Sequence, residues 1–202
     1  MIKALNLYAG IGGNRKLWQN VEVTAIEFNP KIAKIYQDLF PQDKVLVEDA
    51  HQYLLDHYKE FDFIWSSPPC QTHSSFRFNI SVRYDKAKPV YPDMRLYQEI
   101  IFLQTHSEKK WVVENVKPYY EPLIPAIQLQ RHLFWANFKL PTIKVKQDVI
   151  RSAQIPDLQK LHGFDLSKYH IENKRQILRN CVNSELGKAI FEQAFKIEQA
   201  TL

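Results

Sequence analysis

From residue 4 to residue 116 the chain alternates short apolar strands with amphipathic helices. The predicted strands are rich in β-branched and aromatic residues and comprise residues 4–8, 22–26, 45–47, 61–65 and 111–113. Strands that alternate with helices pair in parallel, and helices then cover both faces of the sheet. The pattern therefore predicts one α/β domain with a mostly parallel sheet and helices on both faces.

Three segments predict the clearest helices because their apolar residues recur at helical spacing. The positions predicted to be buried are Ile32, Ile35, Tyr36, Leu39 and Phe40 in residues 30–40, Met94, Tyr97, Ile100 and Ile101 in residues 93–103, and Leu186, Ile190, Ala194 and Ile197 in residues 185–199. Open parallel sheets bind ligands beyond the carboxyl ends of their strands. The strand ends are therefore the predicted location of the chemistry.

The composition fits one domain that needs neither disulfides nor a structural metal. Of 202 residues, 45% are hydrophobic and 24% are charged, which is enough for a single core. The cysteines lack metal-ligand spacing, so we expect a reducing cytoplasm and no metal site. No run approaches the roughly 18 apolar residues of a membrane span, and no signal peptide is recognised. The net charge of +5 is compatible with an acidic polymer as partner.

Three of the five glycines follow the first predicted strand directly, at Gly10, Gly12 and Gly13. Glycines at a strand-to-helix junction let the backbone approach a ligand closely, and the next helix offers free N–H groups. A simple tight turn is the alternative. A dinucleotide fingerprint needs a small residue three places after Gly12, where this chain has Arg15, so the pattern disfavours NAD.

Two acids follow the next strands. Glu27 ends the second strand, where a carboxylate can accept hydrogen bonds from both hydroxyls of a ribose, and Phe28 beside it can stack on a base. Asp49, after the third strand, suits an adenine amino group. The alternatives are a solvated Glu27 and an Asp49 that caps the following helix. In chain order these residues predict an adenosyl cofactor without a pyrophosphate.

A thiol and a further acid follow the fourth and fifth strands. The stiff pair Pro68–Pro69 presents Cys70, and a thiol there can act as a nucleophile when positive charge is close. Glu114 lies among apolar residues, so burial is expected to raise its pKa, which suits an acid that hydrogen-bonds a heterocycle. The alternatives are an inert Cys70 and a Glu114 paired with a Lys or Arg. Cys181 is predicted to be a packing residue.

These motifs resemble those of the cytosine-5 DNA methyltransferase family, in the same order. The matched blocks are residues 7–13, residues 68–71 (Pro-Pro-Cys-Gln), Asp93 and Arg95 before a long helix, residues 114–116 (Glu-Asn-Val), residues 158–164 and residues 176–182. The resemblance covers nearly the whole chain. It implies a single catalytic domain, residues 1–202, with the Rossmann-like fold of S-adenosylmethionine-dependent methyltransferases.

The resemblance also implies a cofactor, S-adenosylmethionine, and a substrate, cytosine in nucleic acid, taken as duplex DNA. The thiolate of Cys70 would add to C6 of cytosine while Glu114 engages N3 and the amino group, so that C5 becomes nucleophilic. The implied catalytic residues are Cys70, Glu114 and Arg131. The implied cofactor-binding residues are Tyr8, Gly10, Gly12, Gly13, Glu27, Phe28, Asp49, Ala50, Pro69 and Asn180, and the implied substrate-binding residues are Gln71, Ser74, Arg77, Arg83, Asn115 and Val116.

Because C6 is inaccessible in a stacked duplex, the target base has to be extruded. Residues 72–91 are predicted to be the loop that holds the opened helix, with a solvated surface loop as the alternative. Cations in this loop can hold phosphates while aromatic rings stack or wedge. They are His73, Arg77, Arg83, Lys86 and Lys88, interleaved with Phe76, Phe78 and Tyr84.

The chain departs from the family in three places. Where Gln-x-Arg-x-Arg is usual it has residues 128–132, with Arg131 as the counterpart of an arginine and His132 as an assistant. Arg179 stands where a glycine is expected, which either alters cofactor packing or is tolerated by a shifted turn. The target-recognition region is reduced to about residues 139–150. Sequence readout is therefore assigned to residues 72–91, to residues 139–146, to a second copy in a homodimer, or to a separate recognition subunit.

Rival functions stay open at this point. The same chemistry on RNA is the closest rival. A noncatalytic cofactor-binding subunit is favoured by the missing recognition region and by Arg179, and it is opposed by the intact Cys70 and Glu114. A thiol hydrolase pairing Cys70 with His73 is weakest, because no third residue orients the pair. We expect a soluble cytoplasmic protein without a membrane partner, associated with the nucleoid if bacterial or viral.

Overall fold

Seven strands and seven helices make up the parts of the chain that the computed structural model describes, residues 1–84, 88–143 and 152–196. The strands are β1 (Ile2–Leu7), β2 (Val21–Ile26), β3 (Lys44–Leu46), β4 (Phe63–Ser66), β5 (Lys110–Val116), β6 (Ile127–Leu129) and β7 (His132–Ala136). The helices are α1 (Pro30–Leu39), α2 (Ala50–His57), α3 (Ser75–Tyr84), α4 (Arg95–His106), α5 (Ile155–His162), α6 (Lys174–Asn180) and α7 (Ser184–Ala194), and a 3-10 turn spans Tyr58–Glu60. None of these helices is both long and apolar enough to cross a bilayer.

The strands form one sheet in the order β3-β2-β1-β4-β5-β7-β6. Strands β1 to β5 pair in parallel, whereas β7 is antiparallel to both β5 and β6. The predicted mostly parallel sheet is therefore confirmed, and the β6–β7 hairpin extends it beyond the predicted strands. The carboxyl ends of β1, β2, β4 and β5 lie along one edge.

Helices cover both faces of this sheet, as predicted. On one face α2 and α4 pack against the sheet through residues such as Leu54 and Ile100. On the other face α7 packs through Ile190 and Phe191. Neighbouring residues of a strand point to opposite faces, so Ile64 lies in the first cluster and Trp65 in the second. The result is a Rossmann-like fold with the ligand edge left open.

Some local predictions were wrong. Residues 72–91 were predicted to be a loop, but they contain α3. Met94 is 45% exposed because it caps α4, and Ile101 is 56% exposed because the buried face of α4 runs through Leu96, Ile100 and Leu103. Lys86, Ile197 and residues 144–150 of the predicted short recognition region lie outside the described residues.

Helix α7 packs closely at Gly187 against the loop after β1 that contains Gly10, Gly12 and Gly13, which we call the glycine loop. A Cβ atom placed on Gly187 would lie 2.3 Å from the carbonyl oxygen of Asn14, and Trp18 Nε1 donates a 3.1 Å hydrogen bond to the Gly187 carbonyl. The last helix therefore needs a glycine where it crosses the loop that forms the ligand edge.

Gly187→Ala is expected to lower the free energy of unfolding by about 1–3 kcal/mol, because the added methyl group overpacks a backbone contact. Helix propensity alone favours alanine by about 1 kcal/mol, so the two effects have opposite signs. Urea denaturation measures the net change. The neighbouring Lys188→Ala variant should change stability by less than about 0.5 kcal/mol, and a stabilised Gly187→Ala variant would refute the close contact.

Candidate active site

A cavity of about 300 Å³ opens at the carboxyl ends of the parallel strands. It joins the predicted cofactor site to the predicted site of the thiol and the acid, because residues following β1, β2 and β4 and the last residues of β5 line the same space. The predicted site residues that line it are Tyr8, Gly10, Gly13, Glu27, Phe28, Pro69, Cys70, Gln71, Glu114, Asn115, Val116, Arg131 and Asn180. Gly12, Asp49, Ala50, Ser74 and Arg77 do not line it, and the side chain of Arg83 lies outside the described residues.

The glycine loop has positive φ angles at Tyr8 (54°), Gly10 (54°) and Gly12 (78°). A Cβ on Gly12 would lie 2.4 Å from the ring of Phe40, whereas a Cβ on Gly10 would meet nothing within 4 Å. Gly12 therefore serves the turn and its packing on α1, and Gly10 leaves its backbone open to the cavity. A Cβ on Gly13 would lie 2.8 Å from that of Cys181, so the loop also packs tightly against the chain after α6.

Glu27 is held by two backbone donors. Its Oε2 accepts a 2.9 Å hydrogen bond from the N–H of Gly10, and its Oε1 accepts a 2.9 Å hydrogen bond from that of Asn29. Burial raises the pKa of this carboxyl, while the two N–H donors lower it. Phe28 beside it is 74% exposed at the cavity wall. This arrangement leaves a fixed acid and an uncovered ring side by side.

Asp49 caps helix α2, which is the alternative weighed for it from the sequence. Its side chain accepts a 3.0 Å hydrogen bond from the N–H of Gln52. Ala50 is the buried first residue of the same helix. Both residues therefore shape the start of α2 rather than the cavity wall.

A buried acid that the sequence analysis missed lies behind the cavity. Glu99 is 1% exposed and accepts hydrogen bonds of 2.6 Å from the hydroxyls of Tyr8 and Ser66, and its other partner is Nδ1 of His51 at 2.9 Å. The hydrogen bond to Glu99 raises the pKa of His51. The sequence did contain a signal for this acid, because Glu99 falls on the apolar face of α4. This network joins the ends of β1 and β4 to two helices.

Cys70 is presented by a rigid segment. The carbonyl of Pro68 accepts a 2.9 Å hydrogen bond from Nδ2 of Asn115 at the end of β5. Burial and the charge of Glu114 together raise the pKa of the Cys70 thiol to about 11, against the charges of Arg131 and Arg179. The thiol is therefore protonated at rest near neutral pH, and its action as a nucleophile requires that this proton is removed.

Glu114 is 6% exposed, and burial raises its pKa to about 7, partly offset by a hydrogen bond with Ser67 and the charge of Arg131. The predicted rise is confirmed. Its closest basic neighbour is a histidine, because Nε2 of His132 lies 3.5 Å from Oε1. Burial keeps the pKa of His132 well below its ordinary value, so this ring is neutral.

Arg131 lines the cavity and also holds two segments of the chain together through hydrogen bonds. Its Nη2 donates hydrogen bonds of 2.8 Å and 2.9 Å to the carbonyls of Arg179 and Cys181. These bonds tie the turn between β6 and β7 to the end of α6. Cys181 is buried among apolar side chains, as predicted for a packing residue.

His73 does not have the role expected of it. It is fully buried, its Nδ1 lies 2.5 Å from the hydroxyl of Tyr120, and its Nε2 lies 3.1 Å from the carbonyl of Asp93. Burial lowers its pKa. His73 is therefore neither a phosphate-binding cation nor a base for Cys70, and the hydrolase hypothesis loses its base.

The aromatic side chains of α3 are exposed, as a nucleic-acid surface requires. Phe76, Phe78 and Tyr84 are 58%, 40% and 63% exposed. Phe78 stacks on Tyr119, with ring centroids 4.6 Å apart. The two ends of the segment that contains α3 are held together, because the N–H of Asp93 donates a 2.9 Å hydrogen bond to Oγ1 of Thr72.

Comparison with known proteins agrees with this geometry. Spodoptera frugiperda DNMT2, solved as a mutant, is 26% identical over 58% of this chain and 36% of its own, with a TM-score of 0.43; the chain thus spans about a third of that protein. The methyltransferase EhMeth of Entamoeba histolytica is 11% identical over 96% of this chain and 98% of its own, with a TM-score of 0.57, which shows a shared fold. No curated protein matches. A family model of C-5 cytosine-specific DNA methylases matches residues 2–122, so the chain belongs to this family, whose cofactor is S-adenosylmethionine.

Proposed function

We propose that this protein transfers a methyl group from S-adenosylmethionine to C5 of cytosine in DNA, through a covalent adduct between Cys70 and C6 of an extruded base. The observation that carries the proposal is the pairing of Cys70 and Glu114. Cys70 follows β4, Glu114 lies near the end of the neighbouring parallel strand β5, and both line the cavity that the glycine loop also lines. A nucleophile, an acid and the loop expected to bind the cofactor therefore line one cavity.

The residues present fit the cofactor. The open backbone at Gly10 leaves room for a ligand, and the fixed carboxylate of Glu27 keeps free lone pairs for ribose hydroxyls. The uncovered ring of Phe28 offers a stacking face for adenine. Tyr8, Gly13, Pro69 and Asn180 complete this part of the wall, whereas Gly12, Asp49 and Ala50 support it from outside. The bound cofactor supplies an electrophilic methyl group.

The pKa values of Glu114 and Cys70 define which of the two groups holds a proton at rest. Above pH 7 Glu114 is ionised, while the Cys70 thiol keeps its proton up to about pH 11. Glu114 can therefore accept the thiol proton and then donate a hydrogen bond from its carboxyl group to N3 of cytosine. No proton has to come from or go to solvent in this exchange.

The covalent steps then balance. The thiolate of Cys70 forms a bond to C6, the C5–C6 double bond opens, and N3 takes the proton held by Glu114. C5 would then take the methyl group while the bond between that methyl group and the sulfonium sulfur breaks, so that S-adenosylhomocysteine leaves and C5 becomes tetrahedral. Loss of the C5 proton to water restores the C5–C6 double bond and expels Cys70 as a thiolate, and the proton on N3 returns through Glu114 to that thiolate. Arg131 stabilises the negative charge that passes between Cys70 and Glu114.

The base must leave the duplex for this chemistry. Phe76 and Tyr84 on α3 are exposed rings able to stack on bases or fill the gap. We assign phosphate contacts to Arg77 and Arg83, and contacts with the extruded nucleotide to Gln71, Ser74, Asn115 and Val116. The segment of residues 139–150 is short for a recognition region, so we assign sequence readout to α3 and to a second copy or a separate recognition subunit.

RNA is the main rival substrate, because the thiol and the acid act on the pyrimidine ring and not on the sugar. Competition between matched DNA and RNA duplexes for labelled methyl transfer separates the two. Our proposal predicts that the label stays on DNA in the presence of equal RNA. Preferential labelling of RNA would replace DNA as the substrate while leaving the ring chemistry intact.

The pH dependence of methyl transfer tests the proton exchange. Below about pH 7 Glu114 is protonated and cannot accept the thiol proton, so the single-turnover rate should fall about tenfold per pH unit. Between pH 7 and 11 the reactive pair and the resting pair hold the same number of protons, so the rate should stay flat. A rate that rises steadily from pH 7 to 10 would show that solvent deprotonates Cys70 without Glu114.

A further inference from the structure

Arg179 lies in the last turn of α6, between residues that line the cavity. Ile177, Asn180 and Cys181 belong to the wall. The carbonyl of Arg179 accepts the 2.8 Å hydrogen bond from Arg131, which holds this turn against the β6–β7 hairpin. The roles described so far use this carbonyl but not the guanidinium of Arg179.

That guanidinium has no hydrogen-bond or ion-pair partner within the described residues, and its Nε atom is buried. A buried donor without a partner is costly, so its presence calls for an explanation. Arg179 as a whole is only partly buried, which leaves its terminal amino groups accessible. Within the described residues this side chain is therefore a cation without an anion.

The turn that carries Arg179 lies at the end of the cavity that holds Glu114, because Arg131 binds the Arg179 carbonyl and the next residue, His132, lies 3.5 Å from Glu114. Burial raises the pKa of Cys70, and Arg179 is one of the two arginines whose charge opposes that rise. Arg131, the other, already has two carbonyl acceptors for Nη2. Arg179 is thus the arginine whose donors are free to bind an anion beside the thiol.

Nucleotide geometry identifies that anion. In a pyrimidine nucleotide with the usual anti orientation, C6 lies on the side of the 5′ oxygen of the sugar. A thiol placed to attack C6 therefore has the 5′ phosphodiester of the same nucleotide as a close anion, and a guanidinium binds phosphate through paired N–H groups. We propose that Arg179 binds the 5′ phosphodiester of the target nucleotide and seats its base at Cys70, an inference that rests on the proposed function.

The test uses a duplex DNA in which one cytosine faces an abasic position, because an unpaired base is extruded at the lowest cost. In a second probe the phosphodiester 5′ to that cytosine is an uncharged methylphosphonate. Wild-type protein should bind the second probe about tenfold more weakly, as for the loss of one charged hydrogen-bonded contact. Arg179→Gln should bind both probes equally and show a salt dependence of log K that is shallower by about 0.9.

Matched variants complete the test. Arg179→Lys should regain part of the methylphosphonate effect, and Lys174→Gln, which removes a charge from the first turn of α6, should keep all of it. The proposal is overturned if Arg179→Gln discriminates between the probes as wild type does, or if wild type binds neither probe or both equally. Weaker S-adenosylmethionine binding by Arg179→Gln, with the probe effect unchanged, would reassign Arg179 to the cofactor carboxylate.

Failure of the proposed function is separately visible. A protein that transfers no methyl group to DNA but retains the coupling between Arg179 and the 5′ phosphodiester would refute the methylation and keep the contact. Methyl transfer to DNA without that coupling would keep the proposed function and refute the contact between Arg179 and the phosphodiester.

Discussion

Replacing Cys70 with alanine is expected to lower methyl transfer to cytosine by at least about a thousandfold, because the remaining residues position the base but cannot form the C6 adduct. Cys70 lies outside the apolar clusters of the core, so the variant should unfold within about 1 kcal/mol of wild type. Transfer of labelled methyl groups from S-adenosylmethionine to duplex DNA, together with urea denaturation, measures both effects.

The second cysteine provides the matched control. Cys181 is 6% exposed and packs in the core, and alanine keeps the Cβ atom that lies against the glycine loop. Cys181 also lines the cavity, so Cys181→Ala tests whether the loss of any thiol in the wall stops the reaction: it should still form the C6 adduct and transfer methyl groups, and lose about 1 kcal/mol of stability. A Cys70→Ala variant that transfers methyl groups at the wild-type rate would remove the covalent mechanism.

Glu114→Gln is expected to slow methyl transfer by about 10²–10⁴-fold, because the amide cannot carry the proton from Cys70 to N3. The affinity for S-adenosylmethionine should not change. Because the charge of Glu114 raises the pKa of Cys70, the same variant should make the thiol more acidic. Iodoacetamide should therefore alkylate Cys70 faster at neutral pH although catalysis is slower.

These opposite directions separate a proton-carrying role from general damage to the site. Glu108→Gln, an exposed residue before the other end of β5, serves as the control and should leave both rates unchanged. An unchanged transfer rate in Glu114→Gln, or slower alkylation together with slower transfer, would refute the assigned role of Glu114.

Much of the fold followed from local patterns. Each predicted strand overlaps an observed strand, because buried parallel strands are short apolar runs that are visible without knowledge of the partner. The geometry also groups Cys70 with Glu114, since parallel strands end at one edge of the sheet. The β6–β7 hairpin was less visible, because β6 has only three residues and two of them are exposed.

The residues that sequence reasoning misjudged are those whose role depends on long-range contacts. His73 looked like a loop cation until its ring was found between Tyr120 and Asp93. Arg131 lines the cavity, but its hydrogen bonds to the carbonyls of Arg179 and Cys181 and the approach of His132 to Glu114 depend on contacts that the sequence does not show. Glu99 went unnoticed because its partners lie 33 to 91 positions away in the chain.

Trapping of the covalent adduct tests the central claim most directly. In duplex DNA that contains 5-fluorocytosine, C5 carries no proton to lose after methyl transfer, so the enzyme cannot expel Cys70. Incubation with S-adenosylmethionine followed by digestion and mass spectrometry should find the methylated fluoropyrimidine attached to the peptide that contains Cys70. Methyl transfer to ordinary cytosine without any such adduct, or an adduct on another residue, would contradict the account.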